Sequence, residues 1–166
     1  MSDQPAMHIH GMVHVNINCR NFDRSRAFYE MLGFQVVWMV PATNTVEVAA
    51  AVGMPPYRVN GAIMAVPGAR PPLVIDLLEW VEPRDESDPY PNLYRPGLAR
   101  LAMRTTDLEA DLRRLVEEGV EIVGAPATVM VDERRGSRFV CFRDPDGTFL
   151  ELVEAVEVPD GDPATG

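Results

Sequence analysis

Two segments of the sequence follow the same pattern, and together they occupy most of the chain. Each starts with alternating apolar and polar residues, which is typical of a strand whose two faces meet different surroundings. A predicted helix, a Gly and a second strand follow in both segments. The matching intervals are Phe22–Gly33 and Leu108–Gly119, so the segments are shifted by 86 positions. This repeat predicts two units of one fold.

The last strands of the two units also match, but at a different shift. Segment 73–80 (LVIDLLEW) resembles segment 148–155 (TFLELVEA), which sets Asp76 against Glu151 at a shift of 75 positions. Because this shift is smaller, the first unit contains about eleven extra residues, which we place in segment 40–61. Each unit therefore reads β-α-β-β-β.

The repeat predicts an α+β fold in which two tandem βαβββ units form a curved mixed sheet around a concave cavity, with the helices outside. Asp23 and Asp107 lie close to the expected N-cap positions of the two helices. Gly33 and Gly119 are placed for left-handed caps at the helix ends. The predicted boundaries are an N-terminal arm at 1–11, a first unit at 12–81, a linker at 82–96, a second unit at 97–157 and a flexible tail at 158–166.

Composition limits the classes of partner. The net charge is −10 and the pI is near 4.7, which argues against binding nucleic acid through phosphate attraction. No apolar run is long enough to span a membrane and no secretory signal is visible, so we expect a cytoplasmic protein without a membrane partner. All 15 basic residues are Arg, which excludes a lysine Schiff base. Cys19 and Cys141 are predicted to be reduced packing residues.

The alternation in the first strand, MVHVNINCR, predicts which side chains face the cavity. The apolar members, expected beneath the helix, are Val13, Val15, Ile17 and Cys19. The polar members, expected on the concave side, are His14, Asn16 and Asn18. One His and two Asn are more typical of a lined cavity than of a face that meets water.

Four polar groups are predicted to meet at this cavity. The shift of 86 sets His14 against Arg100, and the last strands supply Asp76 and Glu151 at equivalent places. Trp80 shares the parity of Asp76, which places it at the cavity mouth.

Parity also assigns two carboxylates to the opposite side of the last strands. Glu79 and Glu154 alternate with the cavity-facing residues of those strands. We therefore predict that both are charges on the outer surface.

Two motifs in the sequence resemble the vicinal oxygen chelate superfamily: HVNINCRNFDRSRAFYEMLGF and FRDPDGTFLELVE. The resemblance covers roughly residues 12–154. That superfamily contains glyoxalase I, methylmalonyl-CoA epimerase, extradiol dioxygenases, fosfomycin-resistance enzymes and bleomycin-binding proteins. The resemblance implies the fold and leaves the reaction open, because one fold hosts many chemistries.

The resemblance implies a divalent metal ion on the concave face, held by His on the first strands and by Glu or Gln on the last strands. His14 and Glu151 match this pattern, and Asp76 holds the place of the second carboxylate or amide. A site for Fe, Mn, Zn or Ni made of these three residues is one expectation. Arg100 stands where the second His is expected, and an arginine cannot coordinate a metal ion.

An arrangement without a metal is the second expectation. Arg100 would bridge Asp76 and Glu151 in a charge-assisted network, which leaves His14 to act as an acid or base. Buried charges would then be paired without an ion. The sequence leaves both arrangements open.

The resemblance implies a role for Glu151, and the chemistry and position of the other residues predict theirs. In the resembling epimerases and glyoxalases, the carboxylate on the last strand exchanges protons with a carbon next to a carbonyl. The predicted catalytic residues are Glu151, His14 and Arg100. The predicted substrate-binding residues are Asn16, Asn18, Arg100, Trp80, Tyr57 and Arg58.

An epimerase of this type needs a second carboxylate on the third strand of the first unit. That strand, VNGAIMAV, is predicted to direct Asn60, Ala62 and Met64 toward the cavity, and none of them is an acid. This weakens the case for a methylmalonyl-CoA epimerase.

These expectations favour a lyase or isomerase that acts by acid–base chemistry on a small oxygen-bearing molecule, with or without a metal. The reactions considered are isomerisation, cyclisation, elimination and ring opening. The alternative is a protein that sequesters an antibiotic-like molecule without turnover, and the acidic charge would suit a cationic ligand. A homodimer is expected in either case.

Overall fold

The computed structural model of the protein describes residues 8–158. The chain divides into two compact units, Met1–Asp85 and Glu86–Gly166, and each is described by itself. The start of the predicted arm, 1–7, and the predicted tail from 159 onward lie outside the described residues. Within the described residues, no helix is long and apolar enough to cross a membrane.

The first unit is a four-stranded mixed sheet with two helices. Its elements are β1 (Val15–Cys19), α1 (Phe22–Met31), β2 (Gln35–Met39), α2 (Val46–Ala51), β3 (Arg58–Ala65) and β4 (Val74–Glu82). The strand order is β1-β4-β3-β2, with β1 parallel to β4 and the other neighbours antiparallel. Helix α2 lies within segment 40–61, where we place the extra residues of this unit.

The second unit repeats this arrangement without the extra helix. Its elements are β5 (Leu101–Thr105), α3 (Leu108–Glu117), β6 (Ala127–Met130), β7 (Arg135–Arg143) and β8 (Phe149–Glu157). The strand order is β5-β8-β7-β6, with β5 parallel to β8. The prediction of an α+β fold with two tandem βαβββ units is confirmed.

The ends of α1 and α3 are fixed by local sequence. The side chain of Asn21 accepts a hydrogen bond from the Arg24 N–H at 2.9 Å, which makes Asn21 the N-cap of α1. Asp107 caps α3 in the same way, as expected. Asp23 lies in the first turn of α1, two residues after the N-cap, so it is near the cap but does not form it.

The two glycines at the helix ends adopt the predicted left-handed conformation. Gly33 has a φ of 97° and Gly119 a φ of 73°. The next residue in each unit, Phe34 or Val120, donates its N–H to a carbonyl of the last helical turn. These caps end both helices at equivalent positions.

Glu79 and Glu154 lie on the helix side of their sheets, as parity predicted, but the prediction that they are outer-surface charges was wrong. Glu79 accepts a hydrogen bond from the N–H of Phe22 at 3.0 Å, and Glu154 accepts one from the N–H of Leu108 at 3.4 Å. Phe22 and Leu108 begin α1 and α3, where backbone N–H groups have no partner within the helix. Each carboxylate therefore ties the last strand of its unit to the positive end of the helix.

The apolar face of β1 is shorter than predicted. Ile17 and Cys19 are buried, but Val15 is half-buried and Val13 is 79% exposed. The pairing of β1 with β4 begins at Val15, opposite Ile75, so Val13 lies before the paired part of the strand. The packing predicted for Val13 was therefore wrong.

Strand β3 has the opposite parity to the one predicted. Asn60 is opposite Glu79, and its side-chain amide donates to that carboxylate, which puts Asn60 on the helix side of the sheet. Ala62 and Met64 share this side and are fully buried. Ile63 lies opposite Asp76 instead. The strand still offers no acid next to Asp76.

Candidate functional site

In the first unit, polar side chains of β1 and β4 lie on the sheet face away from α1. Asn16 is opposite Asp76, and its side-chain amide donates to the Asp76 carbonyl oxygen at 3.1 Å. Trp80 Nε1 donates to Asn18 Oδ1 at 2.9 Å. Four of the predicted residues on β1 and β4 therefore share one face of this sheet.

Asp76 is the half-buried carboxyl group on this face. Its Oδ1 is buried and has no hydrogen-bond partner within residues 8–158. Burial raises the pKa of Asp76 above its ordinary value, and the charge of His14 and the Asn16 amide only partly oppose this. His14 itself is exposed and lies just before β1. The raised pKa means that Asp76 keeps its proton up to a higher pH than an exposed aspartic acid does.

Tyr57, in the extra segment of the first unit, forms an aromatic pair with Trp80 of β4. Tyr57 and Trp80 have ring centroids 4.8 Å apart and planes inclined by 45°. The N–H of Tyr57 donates to the Asn44 side chain at 3.0 Å, which holds the end of the segment in place. Arg58 is exposed, and its Nε lies 3.6 Å from a carboxylate oxygen of Glu82.

In the second unit, Arg100 and Glu151 form an ion pair through Arg100 Nε and Glu151 Oε2. The Glu151 side chain is 8% exposed and that of Arg100 is 41% exposed. A charged carboxylate is costly to bury alone, so the guanidinium compensates for its lost hydration.

Cys141 lies next to this ion pair. It is opposite Glu151 in the β7–β8 ladder. Burial and the negative charge of Glu151 raise the pKa of the Cys141 thiol, and Arg100 opposes the shift. The thiol is therefore held in its neutral form beside the carboxylate. Sequence reasoning missed this contact, although the hairpin turn in FRDPDGT contains the information that sets the strand register.

The repeat predicted that His14 and Arg100 occupy equivalent positions in the two units, and this is confirmed. Leu101 is opposite Leu150 as Val15 is opposite Ile75, so Arg100 and His14 precede equivalent strand pairs. The convergence of all four groups on one cavity remains a prediction.

The residues described do not fit the three-ligand metal site that the resemblance implies. Glu151 Oε2 is engaged by a guanidinium, which would repel a divalent cation. Among residues 8–158, no group of three or more His, Cys, Asp and Glu side chains is placed to hold a metal ion. His14 and Asp76, both in the first unit, are the two predicted metal ligands that remain.

Comparison with known proteins gives a match over nearly the whole length of the chain. Residues 11–152 match the family model described as the Glyoxalase/Bleomycin resistance protein/Dioxygenase superfamily. The uncharacterized protein YwkD of Bacillus subtilis (strain 168) is 29% identical over 145 residues, which cover 85% of this chain and 94% of that protein.

Solved structures show the same fold. A glyoxalase family protein from Bacillus cereus is similar with a TM-score of 0.74 and 22% identity, over 91% of this chain and 99% of that one. The fosfomycin resistance protein FosX from Listeria monocytogenes, solved with Mn(II) and a sulfate ion, is similar with a TM-score of 0.56 and 15% identity, over 88% and 93%. Together with the repeat and the two mixed sheets, the family match shows that this chain belongs to the Glyoxalase/Bleomycin resistance protein/Dioxygenase superfamily.

Proposed function

We propose that the protein is an enzyme that transfers protons on a small organic substrate bearing a carbonyl, phenol or enol oxygen. The observation that carries the proposal is the pair of Arg100 and Glu151, a buried carboxylate beside a partly exposed guanidinium. The carboxylate accepts a proton, and the guanidinium stabilises negative charge that develops on the substrate. Isomerisation, cyclisation, elimination and ring opening all use these two steps, which suit a lyase or an isomerase.

Arg100 is assigned the role of binding the substrate oxygen. Its Nε is directed at Glu151, and a guanidinium carries further N–H donors on its two terminal nitrogens. These donors match the planar oxygens of a carboxylate or an enolate. An enolate that forms in the site therefore has a cation beside it, and no metal ion is needed for this role.

Glu151 is assigned the role of general base. It removes a proton from the carbon next to the substrate carbonyl, and the electron pair of the broken C–H bond moves onto the carbonyl oxygen. Return of the proton to another atom gives an isomer, and loss of a leaving group gives an elimination product. The burial of Glu151 keeps competing water away from the carboxylate.

His14 and Asp76 are proposed as the acid–base pair of the first unit. The unpartnered Asp76 Oδ1 and the raised pKa of this carboxyl support a role in proton transfer. Asn16 fixes the backbone beside Asp76 through its hydrogen bond to the carbonyl oxygen.

Binding without turnover is the second candidate function. The aromatic pair of Tyr57 and Trp80 favours it, because such rings bind flat or cationic molecules without any chemistry. The net charge of −10 would attract a cationic ligand.

The test uses a panel of ketones and 2-oxo acids in D₂O. It measures by ¹H NMR the rate at which solvent deuterium replaces the proton on the carbon next to the carbonyl group. The Glu151→Gln variant should lower the exchange rate by roughly 10²- to 10⁴-fold, which is typical for loss of a general base. Glu157→Gln is the matched control, because Glu157 is an exposed carboxylate on the same strand. An unchanged rate in Glu151→Gln would contradict the proposal. Exchange with no member of the panel, together with ligand binding that Glu151→Gln leaves intact, would favour sequestration.

A homodimer also remains part of the proposal. The residues of β2 that support it are Val37, Trp38 and Met39, which are apolar and exposed on an edge strand. Sedimentation equilibrium should give twice the mass of one chain, and a monomer at micromolar concentration would contradict it.

A further inference from the structure

The aromatic pair of the first unit has features that narrow the class of ligand beyond a small oxygen-bearing molecule. Tyr57 and Trp80 are both half-buried, and their rings are in contact. The pair lies on the same side of the sheet as Asp76, because Trp80 and Asp76 are four positions apart in β4 and side chains an even number of positions apart face the same side. This face therefore has an aromatic end and a polar end.

The orientation of Trp80 is fixed by a hydrogen bond to its only polar atom. Nε1 donates to Asn18 Oδ1 at 2.9 Å. With this donor engaged, what Trp80 can offer a ligand is the face and edge of its indole ring. The site is thus suited to stacking with a flat ring rather than to donating a hydrogen bond.

An apolar floor joins the two ends. Leu78 lies between Asp76 and Trp80 on β4, and it is opposite Gly61 of β3. A Cβ at Gly61 would come within 2.4 Å of Leu78 Cδ2, so the leucine side chain lies over the glycine. A ligand that touches both Trp80 and Asp76 must therefore cross an apolar surface.

The polar end of this face has an unpaired hydrogen-bond acceptor. Asp76 Oδ1 is buried and has no partner in the described part of the chain. A buried carboxyl oxygen without a partner costs about 1–3 kcal/mol. Asp76 as a whole is only half-buried, so a rotation of its carboxyl group that lets this oxygen accept a hydrogen bond from a ligand is favoured. A hydroxyl group fulfils this, in addition to the carbonyl, phenol or enol oxygen that the proposed function requires of the substrate.

From these observations we infer that the first unit binds an aromatic ring linked through a short apolar chain to a hydroxyl group, with the ring against Trp80 and Tyr57 and the hydroxyl donating to Asp76. This inference rests on the proposed function, because it names the class of substrate for that enzyme. It adds a requirement for aromaticity and for a donor group, neither of which the acid–base chemistry itself demands.

The experiment measures binding of three matched probes by ligand-observed NMR titration. The first is 4-phenyl-1-butanol, the second is its cyclohexyl analogue, and the third is its methyl ether, which cannot donate a hydrogen bond. The cyclohexyl probe is at least as apolar as the phenyl probe, so a preference for phenyl reports stacking rather than burial of apolar area. We expect the phenyl alcohol to bind with a Kd on the order of 1 mM or below. It should bind about three- to tenfold more tightly than either analogue.

Two variants separate the two contacts. Trp80→Leu should reduce the preference for phenyl over cyclohexyl to less than about twofold. Asp76→Ala should remove the preference for the alcohol over the ether and leave the preference for phenyl in place. Tyr94→Leu is the control, because Tyr94 is an exposed aromatic residue of the second unit and should change neither preference.

Equal binding of the phenyl and cyclohexyl alcohols to the wild type would overturn the inference. A phenyl preference that survives in Trp80→Leu would overturn it as well. These outcomes are independent of the deuterium exchange that tests the proposed function. Exchange without a phenyl preference would remove only the inference, and a phenyl preference lost in Trp80→Leu would support this binding site even if no exchange occurred.

Discussion

The two units agree on the helix side of their sheets and differ on the other side. On the helix side, fully buried Leu77 of β4 corresponds to buried Leu152 of β8. Glu79 and Glu154, two positions further along, both accept a hydrogen bond from the first residue of the helix. This side carries the packing and capping that the βαβββ fold requires.

On the opposite side, equivalent positions carry different chemistry. The pairs, first unit before second, are His14 and Arg100, Asn16 and Ala102, Asn18 and Arg104, Asp76 and Glu151, and Trp80 and Ala155. The first unit therefore has an aromatic pair and a carboxyl oxygen without a partner, whereas the second has a carboxylate neutralised by a guanidinium. The packing and the helix contacts that the two units share lie on the helix side, and the residue types at equivalent positions of the opposite side differ, so function can differ there between the units.

The largest expected effect comes from making the second unit resemble the first at one position. Arg100→His removes the guanidinium from Glu151 and adds a possible metal ligand. We expect affinity for Mn²⁺ or Zn²⁺ to rise roughly 100-fold, because a repelling cation is replaced by an imidazole. Elemental analysis and metal titration measure this. Unchanged metal affinity would mean that Arg100 is not what prevents metal binding.

A second prediction tests a close approach between two strands of the first unit. Gly61→Ala would place a Cβ 2.6 Å from the Leu77 carbonyl oxygen as well as against Leu78. Since a backbone atom cannot move aside easily, we expect a loss of about 1–3 kcal/mol in the free energy of unfolding, measured with urea. The control is Gly124→Ala, because a Cβ there meets no atom within 4 Å. Equal stability of the two variants would show that Leu78 does not lie over Gly61.

A third prediction compares the two capping carboxylates by the same substitution. Glu79 accepts from Phe22 N–H and Asn60 and pairs with Arg84 at 3.1 Å, whereas the Glu154 contact to the helix is longer. Glu79→Gln should therefore cost about 1–2 kcal/mol, and Glu154→Gln less than about 1 kcal/mol. Thermal or urea unfolding measures both. A larger cost at Glu154 would contradict the ranking.

The smallest expected effect is a difference in how two carboxyl groups respond to pH. Burial acts to raise the pKa of Glu79, but the hydrogen bonds from Phe22 and Asn60 and the contact with Arg84 outweigh it, so its pKa falls below 4.5. Its contribution to stability is therefore present above pH 4.5 and is lost as the pH falls through the lowered value.

The pKa of Asp76 is shifted in the opposite direction, so its contribution to stability depends on pH in the opposite way. Its pKa is raised above 3.8 in the folded state, mainly by burial, so its contribution to stability is present below pH 3.8 and is lost as the pH rises through the raised value. Asp76→Asn should therefore be more stable than the wild type at pH 7, and this advantage should shrink toward pH 3. Urea unfolding at both pH values measures it. An advantage that grows on acidification would contradict the raised pKa.

Local rules in the sequence predicted the repeat and the ends of the helices. The intervals around α1 and α3 follow from apolar spacing, and Gly33 and Gly119 end the helices because few other residues adopt a positive φ. The matching last strands also predicted that Asp76 and Glu151 occupy equivalent places.

Only the tertiary structure decided which side chains meet. The parity of β3 depends on its register with β4, and a change of register by one residue moves every side chain to the other face. Glu79 reaches Phe22 across 57 positions, a contact that the sequence did not predict. The pairing of Arg100 with Glu151, across 51 positions, was one of two arrangements that the sequence left open. Spacing within one element predicts a helix or a strand because the interactions are local. Contacts between distant positions depend on how the elements pack, which local spacing does not specify.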